Sequence, residues 1–308
     1  MTFSSLEYFS AVARARSFTG AAAGLHMTQQ SLSAQIAALE KELGCRLFER
    51  HIPLELTYAG QVLLRYAEHF QKEKKTMEQE FCDISGNQKG VLRIGVSPAR
   101  ERAVLPEILL AFQERFPNIS AELREDYNED LHGKLLNGDI DLAIGIFPHA
   151  LPGAALRDFY REEEVMLISK DCFRKTYGPR AEETEAAFRE GRFEALKECP
   201  VLAGSERNVN WQTGLEVLRR AGVDRPLIRV SSGNLETLLE LCIRGAGACF
   251  SPELLADSLL SSGDRDAVLR FRLGEAAGNQ IRFAYQTSSY AWSVIRAFMD
   301  IAADMKKG

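Results

Sequence analysis

The chain has 308 residues, 45% of them hydrophobic and 26% charged, and a net charge of −5. That length holds two domains with sizeable cores, and the acidic total leaves nucleic-acid binding to local rather than global charge. No apolar run approaches the roughly 18 residues of a membrane span, no signal peptide opens the chain, and the six cysteines (45, 82, 172, 199, 242, 249) lack metal or disulfide spacing, as in reduced cytoplasmic proteins.

Leu6, Phe9 and Ala13 put an apolar stripe on a first helix, with Arg14 and Arg16 near its C-terminal end, where the backbone dipole favours cations. Ser17 then offers a helix cap, Ala21-Ala22-Ala23 favour helix, and Gly24 and His26 break it. Thr28 offers a second cap. Leu32, Ile36, Leu39 and Leu43 recur at helical spacing, with Gln29, Gln30, Ser33 and Gln35 on the opposite side. Short-armed amides and hydroxyls there suit hydrogen bonding to base edges. Arg50 to Thr57 reads as a small hairpin with Pro53 at its tip.

Tyr58 to Ser85 reads as one long helix. Leu63, Phe70, Met77 and Ile84 recur every seven residues, with Ala67, Lys74 and Phe81 between them, a pattern open both to a helix that pairs with a copy of itself and to one lying on its own domain's core, the polar run 71–75 weighing against the second. Lys74 on that seam would fix register. Gly86 to Gly90 is turn-rich and marks a domain boundary.

From Val91 strands alternate with helices, which implies parallel, doubly wound sheets with ligands outside the carboxyl ends of strands. Strands are expected at 91–96, 121–125, 141–146, 164–169, 201–203, 227–230, 246–250 and 281–286. Helices are expected at 105–116, 131–136, 211–221, 235–244 and 290–305. The charged stretch from Asp171 to Lys197, helix-like in 181–197, reads as a surface insertion. Three strand-to-helix turns carry hydroxyls or amides where a helix N-terminus favours an anion: Ser97-Pro98-Ala99-Arg100, Gly204-Ser205 and Ser231-Ser232-Gly233-Asn234. Helix capping is the competing reading for Ser97 and Asn234.

The N-terminal pattern resembles the LysR-type transcriptional regulators. Matching positions are Ser17-Phe18-Thr19, Ala21-Ala22, Leu25, Thr28-Gln29, Leu32-Ser33, Gln35-Ile36, Leu39-Glu40, Leu43-Gly44, Leu47-Phe48, Arg50, Leu56-Thr57 and Ala59-Gly60. The resemblance implies an α/β protein with a winged helix-turn-helix at 1–57 and a linker and dimerisation helix at 58–89. It implies an effector-binding domain at 90–308, built of two Rossmann-like lobes as in periplasmic binding proteins: lobe I at about 90–163 and 269–308, lobe II at about 164–268. The expected partners are double-stranded DNA, a small effector and a second or further copies of the chain, with no cofactor, metal, membrane or catalytic role.

Candidate base readers are Gln29, Gln30, Ser33 and Gln35, and candidate phosphate contacts are Thr28, Arg50 and Thr57. Candidate effector contacts are Ser97, Arg100, Ser205, Ser232 and Asn234, with Ile146 and Phe250 as apolar walls, for a small organic acid. The chain departs from the family in a wing poor in cations, His51-Ile52-Pro53-Leu54-Glu55, and in Ala34, where a basic residue is common. Residues 1–90 carry ten Lys/Arg against ten Asp/Glu, so weak non-specific DNA affinity is expected.

Two other readings compete. Gly95-Val96-Ser97-Pro98-Ala99 nearly matches the G-x-S-x-G turn of serine hydrolases, but the five histidines (26, 51, 69, 132, 149) have no triad context. A cysteine-based redox switch would use Cys199 or the pair Cys242 and Cys249, and buried thiols are the alternative.

Overall fold

The computed structural model describes residues 1–49, 51, 53–86, 89–287, 290 and 292–306. It divides into two compact units, Met1–Asn87 and Gln88–Gly308.

The first unit contains α1 (Phe3–Ala15), α2 (Phe18–Gly24), α3 (Gln29–Leu43), a hairpin of β1 (Phe48–Glu49) and β2 (Glu55–Leu56), and α4 (Tyr58–Ser85). Each helix starts on its own hydroxyl: Thr2, Ser17, Thr28 and Thr57 accept from the backbone N–H groups of Ser5, Gly20, Ser31 and Gly60. These bonds satisfy donors that a helix start otherwise leaves orphaned. Phe9, Leu32, Ile36, Leu39 and Phe48 are almost fully buried in one core, which Ala67 of α4 completes. Leu43, the last residue of the expected apolar face, is instead 39% exposed, just before Gly44 ends α3 in the left-handed region.

The turn into α4 is tightly specified. A Cβ on Gly60 would lie 2.1 Å from the Leu47 carbonyl oxygen, so only glycine fits. Glu40 accepts from the Leu47 N–H at 2.7 Å, tying the end of α3 to the hairpin. The hairpin pairs Phe48 with Leu56. Arg50 lies outside the described residues.

The second unit has a five-stranded sheet in the order β4 (Ile119–Glu125), β3 (Gly90–Val96), β5 (Leu142–Ile146), β12 (Asn279–Gln286), β6 (Ala154–Glu162). It is flanked by α5 (Pro98–Arg115), α6 (Asn128–Asn137) and α13 (Ser293–Met305). A three-stranded sheet runs β10 (Cys249–Pro252), β7 (Glu164–Ser169), β11 (Val268–Arg272). β8 (Pro200–Ala203) pairs with β9 (Leu227–Ser231), and a bridge from Val201 to Ala248 leads toward β10. Helices α7 (Lys170–Tyr177), α8 (Ala181–Arg189), α9 (Val209–Arg220), α10 (Leu235–Ile243), α11 (Glu253–Leu259) and α12 (Ser262–Ala267) complete this part.

Among the described residues only the β8–β9 pair is wholly parallel, and the five-stranded sheet is mixed. β3 is parallel to β4 and β5, whereas β12 is antiparallel to β5 and β6 and the three-stranded sheet is wholly antiparallel. Parallel pairs need helical crossovers. β6 and β7, separated only by Glu163, have none and instead carry the chain from one sheet to the other. The charged stretch 171–197 is not a surface appendage, because Phe173, Tyr177, Phe188 and Leu196 are almost fully buried in the core beneath β7 and β11.

Candidate functional sites

The first candidate surface is the outer side of α3. Gln29, Gln30 and Gln35 are exposed and Ser33 is half-buried. At about 100° per residue, Gln30, Ala34 and Lys41 lie opposite the buried Leu32–Ile36–Leu39 stripe, with Gln29 and Ser33 on one flank. Gln35 lies on the other flank, about 160° round the helix from Ser33, so those two do not share a face. Thr28 uses a lone pair as cap and keeps its O–H for donation. Thr57 does not: its hydroxyl accepts from Gly60 and donates to the Arg46 carbonyl at 2.7 Å, leaving nothing for a phosphate. Arg46, exposed where α3 leads into the hairpin, is a cation that the sequence pattern did not single out.

The second surface is on α4. Lys74 does not stand on a free seam; its ammonium meets Glu7 of α1 at 3.0 Å, and Ala67 beside it is buried. The free meridian carries Tyr66, Phe70, Met77, Phe81 and Ile84, between 38% and 73% exposed.

The third is a cavity of about 700 Å³ in the second unit, where the starts of α5, α6, α9 and α10 converge. Ser97, Arg100 and Asn234 line it as expected. Arg100 is not a free charge, however. It is 5% exposed, and its guanidinium donates to both oxygens of Glu162 at 3.1 and 2.5 Å and to Ser97 Oγ at 3.0 Å. Burial opposes its charge most, but Glu162, Tyr160 and Glu164 together outweigh it and raise its pKa. Ser97 makes no side-chain cap to α5; its Oγ accepts from Arg100, and its O–H has no acceptor among the described residues. Asn234 does cap α10, accepting from Thr237 at 2.8 Å.

Ile146, Ser205, Ser232 and Phe250 do not line the cavity. Ile146 contributes only through its backbone N–H, which holds Asn128 Oδ1 at 3.1 Å. Ser205 Oγ is shut away from solvent without a hydrogen-bond partner. Ser232 accepts from the Asn234 N–H within its own turn. Phe250 points into the core against Trp211, where a Cβ on Gly214 would come within 2.4 Å of its ring.

The sequence reading missed Tyr127, Asn128, Arg207, Asn208 and Asn210, all cavity-lining. Arg207 pairs with Glu129 and Asp130 of α6 and lies 4.3 Å over the Tyr127 ring. A buried acid pair brackets the crossing between the sheets. Glu162 holds Arg100 and the Tyr160 hydroxyl, while Glu164 accepts from Asn210 at 2.6 Å. Burial and then Glu162 push Glu164 up to about 8.

The serine-hydrolase alternative fails on geometry. The Ser97 oxygen faces a guanidinium, which cannot take its proton as a general base must. The environment of the thiols does not favour the redox alternative. Cys199, Cys242 and Cys249 are buried. Burial pushes Cys199 and Cys249 each up to about 12 and Cys242 well above the ordinary thiol value, so the reactive thiolate is suppressed. Among the described residues no helix is long and apolar enough to cross a membrane.

Comparison with known proteins finds two family models. Residues 3–61 match "Bacterial regulatory helix-turn-helix protein, lysR family", and residues 85–307 match "LysR substrate binding domain". A "Probable hydrogen peroxide-inducible genes activator" of Streptomyces viridosporus is 28% identical over 92% of this chain and 88% of its own. Among solved structures, a full-length OxyR variant from Pseudomonas aeruginosa shares the fold with a TM-score of 0.68 at 21% identity, covering 99% of this chain and 94% of that one. CbnR, solved in complex with its target DNA, gives a TM-score of 0.64 at 21% identity, covering 98% and 99%.

Proposed function

The chain belongs to the LysR family of bacterial helix-turn-helix regulators, and from that premise we propose how its surfaces divide the work. It is a DNA-binding transcriptional regulator with an effector-binding domain. Gln29, Gln30 and Ser33 of α3 read bases, Gln35 contacts the flank of the groove, and Thr28, Arg46 and Arg50 hold phosphates. A glutamine amide pairs bidentately with adenine in the major groove. The exposed apolar meridian of α4 pairs two copies, so that two α3 helices meet two half-sites.

The cavity in the second unit binds a small effector that biases the angle or rigidity of the two sheets. Such coupling between sites is typically about 1–3 kcal/mol. The chain acts in the cytoplasm and by binding, not turnover.

The observation that carries this reading is the start of α3, where Gln29 and Gln30, both exposed, follow a capped N-terminus. Selection from a random duplex pool with the purified chain tests it. The expected product is a two-fold symmetric site whose affinity falls with salt. Recovery of unselected sequence would contradict it.

A further inference from the structure

The cavity has cations, but each is already committed. Arg100 is bound to Glu162, Arg102 meets Glu236 at 3.5 Å, and Arg207 is paired with Glu129 and Asp130. The carboxylates are not all matched. Glu101 lines the cavity, and its Oε2 is shut off from solvent with no hydrogen-bond partner. Glu125, exposed, lines the same wall, and no cation is paired with it among the described residues. The two are brought together by the fold: the β3–β4 register sets Val96 against Glu125, and Glu101 lies in the first turn of the helix that follows Val96. Burial and then Glu125 push Glu101 upward, the mark of a negative charge without compensation.

At the same corner are donors for an anion. α5 and α6 start without side-chain caps, and the Ser97 O–H has no acceptor among the described residues. Ser97 and Glu101 are four residues apart on one helix face, about 6 Å along the axis. A ligand bearing only carboxylate would meet these donors but also an uncompensated acid pair, with every described guanidinium on the wall already occupied.

We propose that the effector is a zwitterion of the amino-acid class, its carboxylate at Ser97 and the open starts of α5 and α6, its ammonium held by Glu101 with Glu125. This rests on the reading of the cavity as the effector site.

The test uses the full chain and three probe sets at equal concentration: the common amino acids with ornithine, their des-amino carboxylates such as propionate, succinate and glutarate, and the diamine putrescine with agmatine. Thermal unfolding and calorimetry are the readouts. At least one amino acid should bind at least tenfold more tightly than its des-amino and decarboxylated counterparts. Glu101→Gln should weaken it at least tenfold without lowering the unfolding temperature. Tightest binding by a des-amino acid or a diamine would overturn the zwitterion while leaving the effector site in place, as would an unchanged affinity in Glu101→Gln. Silence across all three sets would also overturn it. Amino-acid binding that survives Gly233→Trp, which fills the cavity, would instead remove the site itself.

Discussion

The two units differ at some of their helix starts: α7, α9, α10 and α12 of the second are capped by Ser169, Asn208, Asn234 and Ser261, as the helices of the first are capped, whereas α5 and α6 are not. In the first, α1 to α4 all begin on a hydroxyl that closes the backbone, and polar groups available to a partner lie along helix sides. In the second, α5 and α6 begin without a side-chain cap and open onto a cavity, while most charges around them are bound to one another. A capped start stabilises its helix by about 1 kcal/mol. A start left uncapped beside a cavity forgoes that stability and keeps donors for something else. Of the four helices that start at the cavity, α5 and α6 are of this kind and α9 and α10 are not.

The largest expected effect falls on the open side of α4. Replacing Phe70 and Met77 with aspartate should give monomers by sizing with light scattering. Losing the second half-site should weaken operator binding about 10²–10⁴-fold, the usual gain from linked binding. A variant that stays dimeric would move the pairing surface elsewhere. Next comes the open side of α3. Gln29→Ala should relax base preference at one position of each half-site by about 1–3 kcal/mol, with unfolding unchanged. An unaltered selected sequence would leave Gln29 without a base.

Smaller still is the effect of the interlocked charges in the second unit. Glu164 is held up to about 8 in the folded chain, above the ordinary carboxylic acid value of 4.5. The folded state therefore keeps a proton that the unfolded chain releases across that window, and stability should fall as pH rises through it. Glu162, Arg100 and Tyr160 on one side and Asn210 on the other share this network. Glu164→Gln keeps the acceptor for Asn210 and removes the titration. Its unfolding temperature should match that of the parent near pH 4.5 and exceed it at pH 8.5. Parallel curves would show that Glu164 does not titrate there.

What the sequence made legible was local. Ser17 and Thr28 were readable as caps because the capping bond spans three residues. Helical spacing suggested one polar side for Gln29, Gln30, Ser33 and Gln35, but Gln35 lies on the flank opposite Gln29 and Ser33. What it hid depended on distant partners. Lys74 fits a heptad, but its fate is set by Glu7, 67 residues away. Arg100 looked like a free cation because Glu162, 62 residues on, was invisible to spacing. Phe250 ends a strand expected to reach the cavity, yet side chains alternate along strands and its turn falls inward. Tyr127 and Asn128 were missed because α6 begins at Asn128, three residues before its apolar periodicity starts at Leu131. Asp126-Tyr127-Asn128 after a strand was the signal that could have found them.

The contrast between closed and open helix starts is tested most directly by thermal unfolding of two variants without any ligand. Thr28→Ala should lower the midpoint by about 2–4 °C, the equivalent of one lost cap. Ser97→Asp supplies α5 with the cap it lacks, beside the Arg100 cation, and should leave the midpoint unchanged or raise it by a similar amount. A Ser97→Asp midpoint that falls as far as that of Thr28→Ala would mean that the start of α5 is already closed, and the contrast between α3 and α5 would not stand.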